Sequence, residues 1–271
     1  MNLSKASVLL TGASGGLGSA IARRLHAEGS RLLLVGRSAD ALVALANTLS
    51  IDPHDRASVD ILAVDITTGH GRAAVIDAAQ ARCVDVLINN AAVPAFGAAE
   101  QISPERAQLV VETNILAPML LTGALVPELR SMPEAAILNI GSILGSLGVP
   151  GFSVYGASKA ALRVYTEALR RELADTRLRV QYYAPRAIDT PFNSAEVRSF
   201  NAATGSATDT PDVVAQCVVR LLKKGEAQRY AGAFEALAVR LNALFPRLLD
   251  SAFAKHRRAL DAVRQPNGVS S

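Results

Sequence analysis

Thr11-Gly12-Ala13-Ser14-Gly15-Gly16-Leu17-Gly18 joins the apolar run 7–10 to a stretch, 17–28, in which Leu17, Ile21 and Leu25 recur at helical spacing. Glycine at such a joint allows a tight turn and lets a bound group lie close to the backbone. The helix that follows offers unpaired N–H groups to an anion. Outward from this joint the same rhythm continues. Further strands are expected at 31–35, 59–64, 84–88, 136–140 and 179–184. Helices are expected at 39–49, 71–81, 104–111, 115–130, 153–174 and 211–224. Ser103 and Thr210 stand as caps before two of them, each followed by proline at the first helical position.

The strand runs are apolar throughout rather than alternating, as parallel strands buried on both faces require. The pattern therefore predicts an α/β fold, a doubly wound Rossmann-type parallel sheet flanked by helices. Residues 1–232 form the dinucleotide-binding and catalytic domain of that reading. Residues 233–264 form a helical C-terminal extension of it, and 265–271 a disordered tail.

The 271 residues are half hydrophobic and 19% charged, too apolar for a disordered chain. Cys83 and Cys217 are too few for a disulfide framework or a four-ligand zinc site, so a cytoplasmic protein without a metal is expected. The longest uncharged stretch, 135–158, is broken by glycine and proline and does not suit a membrane span. The net charge of +4 resides in residues 240–271, which hold six basic and two acidic side chains. The rest is formally neutral, which removes support for nucleic-acid binding.

Gly12, Ser14, Gly15, Gly16, Leu17 and Gly18 are the candidate cradle for a dinucleotide pyrophosphate. Strand two ends Val35-Gly36-Arg37-Ser38, without the carboxylate that would hold the ribose hydroxyls of NAD. Arg37 is instead placed to pair with a 2′-phosphate, which points to NADP(H). Asp65, followed by Ile66, is placed to accept from an adenine amino group, and equally suits a helix cap.

Tyr155 and Lys159 open the long helix at 153–174, and their i, i+4 spacing puts them on one face. A phenol is a poor acid–base at neutral pH, and a nearby ammonium is expected to bring its pKa down toward the working range. Ser142, just after strand five, can hydrogen-bond a substrate oxygen. Asn114, at the head of a central helix, can hold a water that relays protons to Lys159.

With TGASGGLG at 11–18, Asp65, NNAA at 89–92, Asn114, Ser142, YGASK at 155–159 and PRAIDT at 185–190, the chain resembles the short-chain dehydrogenase/reductases across residues 6–225. The resemblance implies that Tyr155 is the catalytic acid and that Lys159 binds the nicotinamide ribose and lowers the tyrosine pKa. It further implies that Ser142 orients the carbonyl and Asn114 supports the water relay. Asn89 and Ala91 would line the adenosine side, and Pro185, Ile188 and Thr190 the nicotinamide side. The activity implied is NADPH-dependent reduction of a ketone, 3-oxoacyl or other hydrophobic carbonyl to an alcohol, or the reverse. The partner is a small carbonyl or alcohol, and the assembly a homodimer or tetramer. The alternatives are a non-catalytic NADP(H) sensor or scaffold and a membrane-associated reductase.

Three departures from the family pattern stand out. Ala92 replaces the glycine of the usual NNAG, Arg186 replaces the glycine after Pro185, and the glycine-rich last strand is reduced at most to a remnant at 229–232. Arg186 is placed to meet an anionic substrate group or the cofactor phosphates, with a solvent-directed arginine as the plainer reading. Phe192, Val197 and Phe200 are the apolar members of a segment, 191–207, that would cover the substrate or pack as a plain loop. Beyond it, Leu237, Leu241, Leu244, Phe245, Leu248, Leu249, Ala252 and Phe253 form an apolar stripe among basic residues. This stripe is expected to pack on the domain or a second subunit, or to serve as a wall for a long acyl substrate or a peripheral membrane contact.

Overall fold

A computed structural model describes residues 1–49 and 58–264. The tail expected at 265–271, and the side chains of Leu248, Val263 and Arg264, lie outside the described residues.

The strands run β1 (Ser7–Thr11), β2 (Arg31–Gly36), β3 (Val59–Ala63), β4 (Val86–Asn89), β5 (Ala135–Ile140) and β6 (Leu178–Ala184). After them, β7 (Ala187–Ile188) and β8 (Thr208–Asp209) form a small separate pair, and β9 (Gln228–Tyr230) returns to the main sheet. Among the described residues that sheet has seven strands in the order β3-β2-β1-β4-β5-β6-β9, and every pairing is parallel. The remnant at 229–232 is therefore a true edge strand. Its register sets Tyr182 against Gln228 and Ala184 against Tyr230. Its half-buried, polar sequence hid it.

Side chains alternate across a strand, so β1 feeds two cores. Val8 and Leu10 pack against Ile21 and Leu25 of α1 (Gly16–Ala27). Leu42, Leu45 and Leu49 of α2 (Ala39–Leu49) join the same cluster, whereas Leu9 faces the other layer with Val75 of α3 (Gly69–Ala81). Burial on both sides is why the strands read as unbroken apolar runs.

Beyond β4 the chain forms α4 (Pro104–Val111), a π-helical turn at Glu112–Leu116, and α5 (Ala117–Ser131). Asn114 therefore sits inside a π turn, not at a helix head. The whole run Pro104–Ser131 is long and apolar enough to cross a membrane by composition, but Leu121, Leu125 and Leu129 bury its inner face in the core. The long α6 (Ser153–Glu172) packs beside it, and the segment 191–207 contains a helix, α7 (Ala195–Thr204). After α8 (Pro211–Lys224), the extension forms α9 (Ala233–Leu244), a 3-10 turn at Pro246–Leu249, and α10 (Ala254–Arg264).

The extension folds back over the carboxyl ends of the strands. Leu260 joins a cluster with Ala98 and Phe200, and Val239 joins one with Ile143 and Leu147. The chain runs from β1 outward to β2 and then crosses to β4 on the other flank. The crevice at that reversal is where such sheets bind ligands.

Candidate active site

A cleft of about 1020 Å³ occupies that crevice. Its floor is the glycine turn, from Gly12 through Gly18. Gly12 has φ +65°, and a Cβ there would stand 2.8 Å from the Ala91 Cα. A Cβ on Gly18 would run into the Gly12 carbonyl. The turn is thus packed tightly behind while Ser14, Gly15, Gly16 and Leu17 face the cleft, with Gly15 capping α1. No side chain satisfies that helix start, so its N–H groups remain available to an anion.

Arg37 is exposed on the rim and makes no hydrogen bond or ion pair among the described residues. Asp65 and Ile66 line the same end. Asp65 Oδ1 accepts from the Thr67 N–H and hydroxyl at 2.9 and 2.8 Å, which holds its carboxyl below the usual range, with help from Arg37. The other carboxylate oxygen stays open. The cap of α3 is Thr68, so Asp65 is not the helix cap.

Asn89 does not reach the cleft, contrary to the sequence expectation. It is buried, and its amide donates to Thr122 Oγ1 at 3.0 Å and Asn139 Oδ1 at 2.8 Å. Consecutive strand residues face opposite sides, so Asn90 is the one that turns toward the glycine turn. Its amide donates to the carbonyls of Thr11 and Gly12 at 2.9 and 3.1 Å. Thr11 Oγ1 accepts from the N–H groups of Asn90 and Ala91. Ala91 and Ala92 line the cleft, and neither has positive φ, so the methyl of Ala92 brings no backbone strain.

Ser142, Tyr155 and Lys159 converge on the central wall of the cleft. Ser142 starts the turn after β5 and accepts from the Leu144 N–H at 3.2 Å, which leaves its own proton free to donate. Tyr155 lies beside it in the cleft. Lys159 is only 2% exposed. Its ammonium donates to the Ile140 carbonyl at 3.0 Å and lies 5.8 Å from the centre of the Tyr155 ring. Burial lowers Lys159 to about 8. Burial also raises the Tyr155 phenol, and the nearby Ser142 hydroxyl opposes that only in part. The expected net lowering of the tyrosine is therefore not met by these residues alone.

Asn114 does not face the cleft either. Its amide accepts from the Val93 N–H at 2.8 Å and donates to the Val93 carbonyl and Ser158 Oγ, each at 3.1 Å. The side chain ties the loop after β4 to α6, which positions the face carrying Tyr155 and Lys159.

Residues 6–200 match the short chain dehydrogenase family. The chain belongs to that family. Dehydrogenase/reductase SDR family member 7B of Bos taurus is 34% identical over 94% of this chain and 83% of its own length. The ketoacyl reductase HetN of a Nostoc strain is also 34% identical, over 80% and 75%. Among solved structures, a short-chain dehydrogenase from Sphingobium yanoikuyae in complex with NADPH superposes with a TM-score of 0.77 at 27% identity, covering 98% of each chain.

In this short-chain dehydrogenase Pro185, Ile188 and Thr190 line the cleft beside Tyr155. Arg186 lies there too, but not as a free cation. It donates to Asp209 at 2.9 and 2.7 Å and to Glu235 at 3.1 Å. Two carboxylates neutralise it and raise its pKa further, so the expected role of meeting an anion fails. It instead joins β8 to α9 across the mouth.

Phe192 stands 6.0 Å from Tyr155, ring centre to ring centre. Behind it Phe96, Phe152 and Phe200 stack with centroids 4.9 to 5.8 Å apart. His256 lies between Phe200 and Phe253 and is held below its usual pKa by burial and Lys255. Sequence reasoning named Phe192, Phe200 and Phe253 but missed Asn90, Ser158, Phe96, Phe152 and His256. The doubled asparagine and the serine within YGASK were visible signals, but the meeting of α7 with α10 had none.

Proposed function

We propose that this short-chain dehydrogenase is an NADP(H)-dependent carbonyl reductase, or the corresponding alcohol dehydrogenase, for uncharged hydrophobic substrates. The observation that carries the reading is the convergence of Ser142, Tyr155 and Lys159 on one cleft whose other end is a glycine cradle. Gly12, Ser14, Gly15, Gly16, Leu17 and Gly18 would hold the pyrophosphate, and Asp65, Ile66 and Ala91 the adenosine. Lys159, Pro185, Ile188 and Thr190 would hold the nicotinamide half. The free guanidinium of Arg37, together with the NADPH-bound Sphingobium relative, favours the 2′-phosphorylated cofactor. When bound, that cofactor supplies or accepts the hydride.

The chain's own residues handle the oxygen and its proton. Ser142 has a hydroxyl hydrogen to spare and donates it to the substrate oxygen. Tyr155 keeps its proton at neutral pH because burial raises it, which suits a group that must give that proton to a forming alkoxide. Lys159 uses one N–H on Ile140 and lines the cleft, which leaves its remaining N–H groups for the cofactor. Five of the chain's seven phenylalanines line the cleft, at positions 152, 192, 200, 234 and 253. With Arg186 already neutralised, that wall favours a bulky apolar ketone over an anionic one.

The same reading places the enzyme in the cytoplasm, in keeping with its two free cysteines, and as a homodimer. Exposed Leu116 and Leu120 near the start of α5 and Val164 on α6 support a dimer through that face.

Steady-state assays of wild type and Tyr155→Phe with a hydrophobic ketone test the reading. Tyr155→Phe should lower kcat by about 10²- to 10⁴-fold while NADPH still binds. Unchanged turnover would remove Tyr155 from the mechanism, and a wild type that prefers NADH would remove the role of Arg37.

A further inference from the structure

The outer face of α9 carries Phe234, Leu237, Leu241, Leu244 and Phe245, which are between 42 and 80% exposed. They recur at helical spacing and form one continuous apolar strip. The inner face of the helix is used by the fold: Val239 is buried, and Asn242 donates to the Ser146 carbonyl at 2.9 Å. Phe234 belongs both to the strip and to the rim of the cleft. The strip therefore begins at the mouth of the pocket.

Its surroundings are basic. Arg240, Arg247, Lys255, Arg257 and Arg258 are exposed. Arg240, Arg247, Lys255 and Arg258 make no ion pair among the described residues. Of the nearby carboxylates, Glu235 is already occupied by Arg186. The surplus of basic over acidic residues after position 239 equals that of the whole chain.

We propose that the outer face of α9 docks on an anionic lipid surface, with Arg240 and Arg247 at the headgroups and the pocket mouth turned toward the acyl layer. A second copy of the chain fits the strip poorly. A stable interface takes about 20–30 residues a side, and this strip offers five apolar ones inside a basic border. A two-fold contact would also set each basic rim against itself. An amphipathic face bordered by arginines is instead the form that lies in a lipid interface. The proposal does not depend on the reaction assigned above.

The test is sedimentation of the full-length protein with vesicles of phosphatidylcholine alone and of phosphatidylcholine mixed with phosphatidylglycerol. Wild type should sediment with the mixed vesicles only, and added salt should release it. Leu237→Gln/Leu241→Gln/Leu244→Gln, none of which lines the cleft, should abolish sedimentation without changing the melting temperature. Should that triple variant fold poorly, Arg240→Gln/Arg247→Gln keeps the strip intact and should weaken binding about 30-fold at low salt. Wild type that stays in solution with mixed vesicles overturns the proposal, as do variants that sediment as wild type does. A particle mass that the triple variant halves, with no vesicle binding by wild type, also overturns it and gives the strip to a second copy.

Discussion

Lys159 carries its ammonium into a site that is 2% exposed, with one carbonyl to meet it and no carboxylate paired with it among the described residues. Desolvation disfavours the charged form, hence the fall to about 8. The folded pKa lies below that of an unfolded lysine, so the cost to stability is full below pH 8 and is relieved as pH rises toward the unfolded value. Activity moves the other way. Carbonyl reduction should fall as pH rises through about 8, because the charge that steadies the cofactor side and the tyrosine is lost. Lys159→Met should lower kcat and remove that limb from the kcat profile. A wild-type profile flat across pH 8 would show that Lys159 does not titrate there. Tyr155, Lys159 and Ser142 were legible because fixed spacing and chain order carry them. Asn89 was misread because neighbouring residues at a strand end point to opposite faces, and the letters NN do not say which one turns inward.

Elements, by contrast, are legible in proportion to how periodic their burial is. β1, β2, β4 and β5 are buried on both faces and read as apolar runs. β9 is three half-buried residues, and α7 buries only Val197 and Phe200, too few to mark a period. The π turn at Glu112–Leu116 shifts one turn between two helices and leaves no repeat at all. Arg186 shows what such gaps conceal, since its partners lie 23 and 49 residues away. Its three bonds tie β8 and α9 together at the cleft mouth, with all three side chains mostly buried. Arg186→Met should leave Asp209 and Glu235 facing each other unpaired, at a cost of about 1–3 kcal/mol. Trypsin should then cut faster at Arg240 and Arg247, and KM for a bulky ketone should rise more than kcat falls. Unchanged cleavage would mean that other contacts hold the extension.

For the whole molecule, the helical extension after Gly232 divides between two tasks. Its outer strip is open, whereas Val239 and Leu260 are built into the clusters that close the substrate end. Of the stripe seen in the sequence, Leu237, Leu241, Leu244 and Phe245 lie on that open strip, whereas Leu249, Ala252 and Phe253 line the cleft. A chain ending at Gly232 would expose Phe200, Ile143 and Leu147 to water and lose the ion pair from Arg186 to Glu235. Burial is worth about 1.5–3 kcal/mol for each large side chain removed from water. Several such losses should lower the melting temperature by roughly 10 °C or more. The glycine turn, Arg37 and Asp65 lie at the other end of the cleft and keep their contacts. Truncated protein should therefore still bind NADPH, bind a hydrophobic dye strongly, and reduce bulky ketones poorly. Calorimetry and dye fluorescence on the two chain lengths decide it. Equal melting temperatures would mean that the extension rests on the domain without being part of its core, and the aromatic chamber would lose its wall as an explanation of substrate choice.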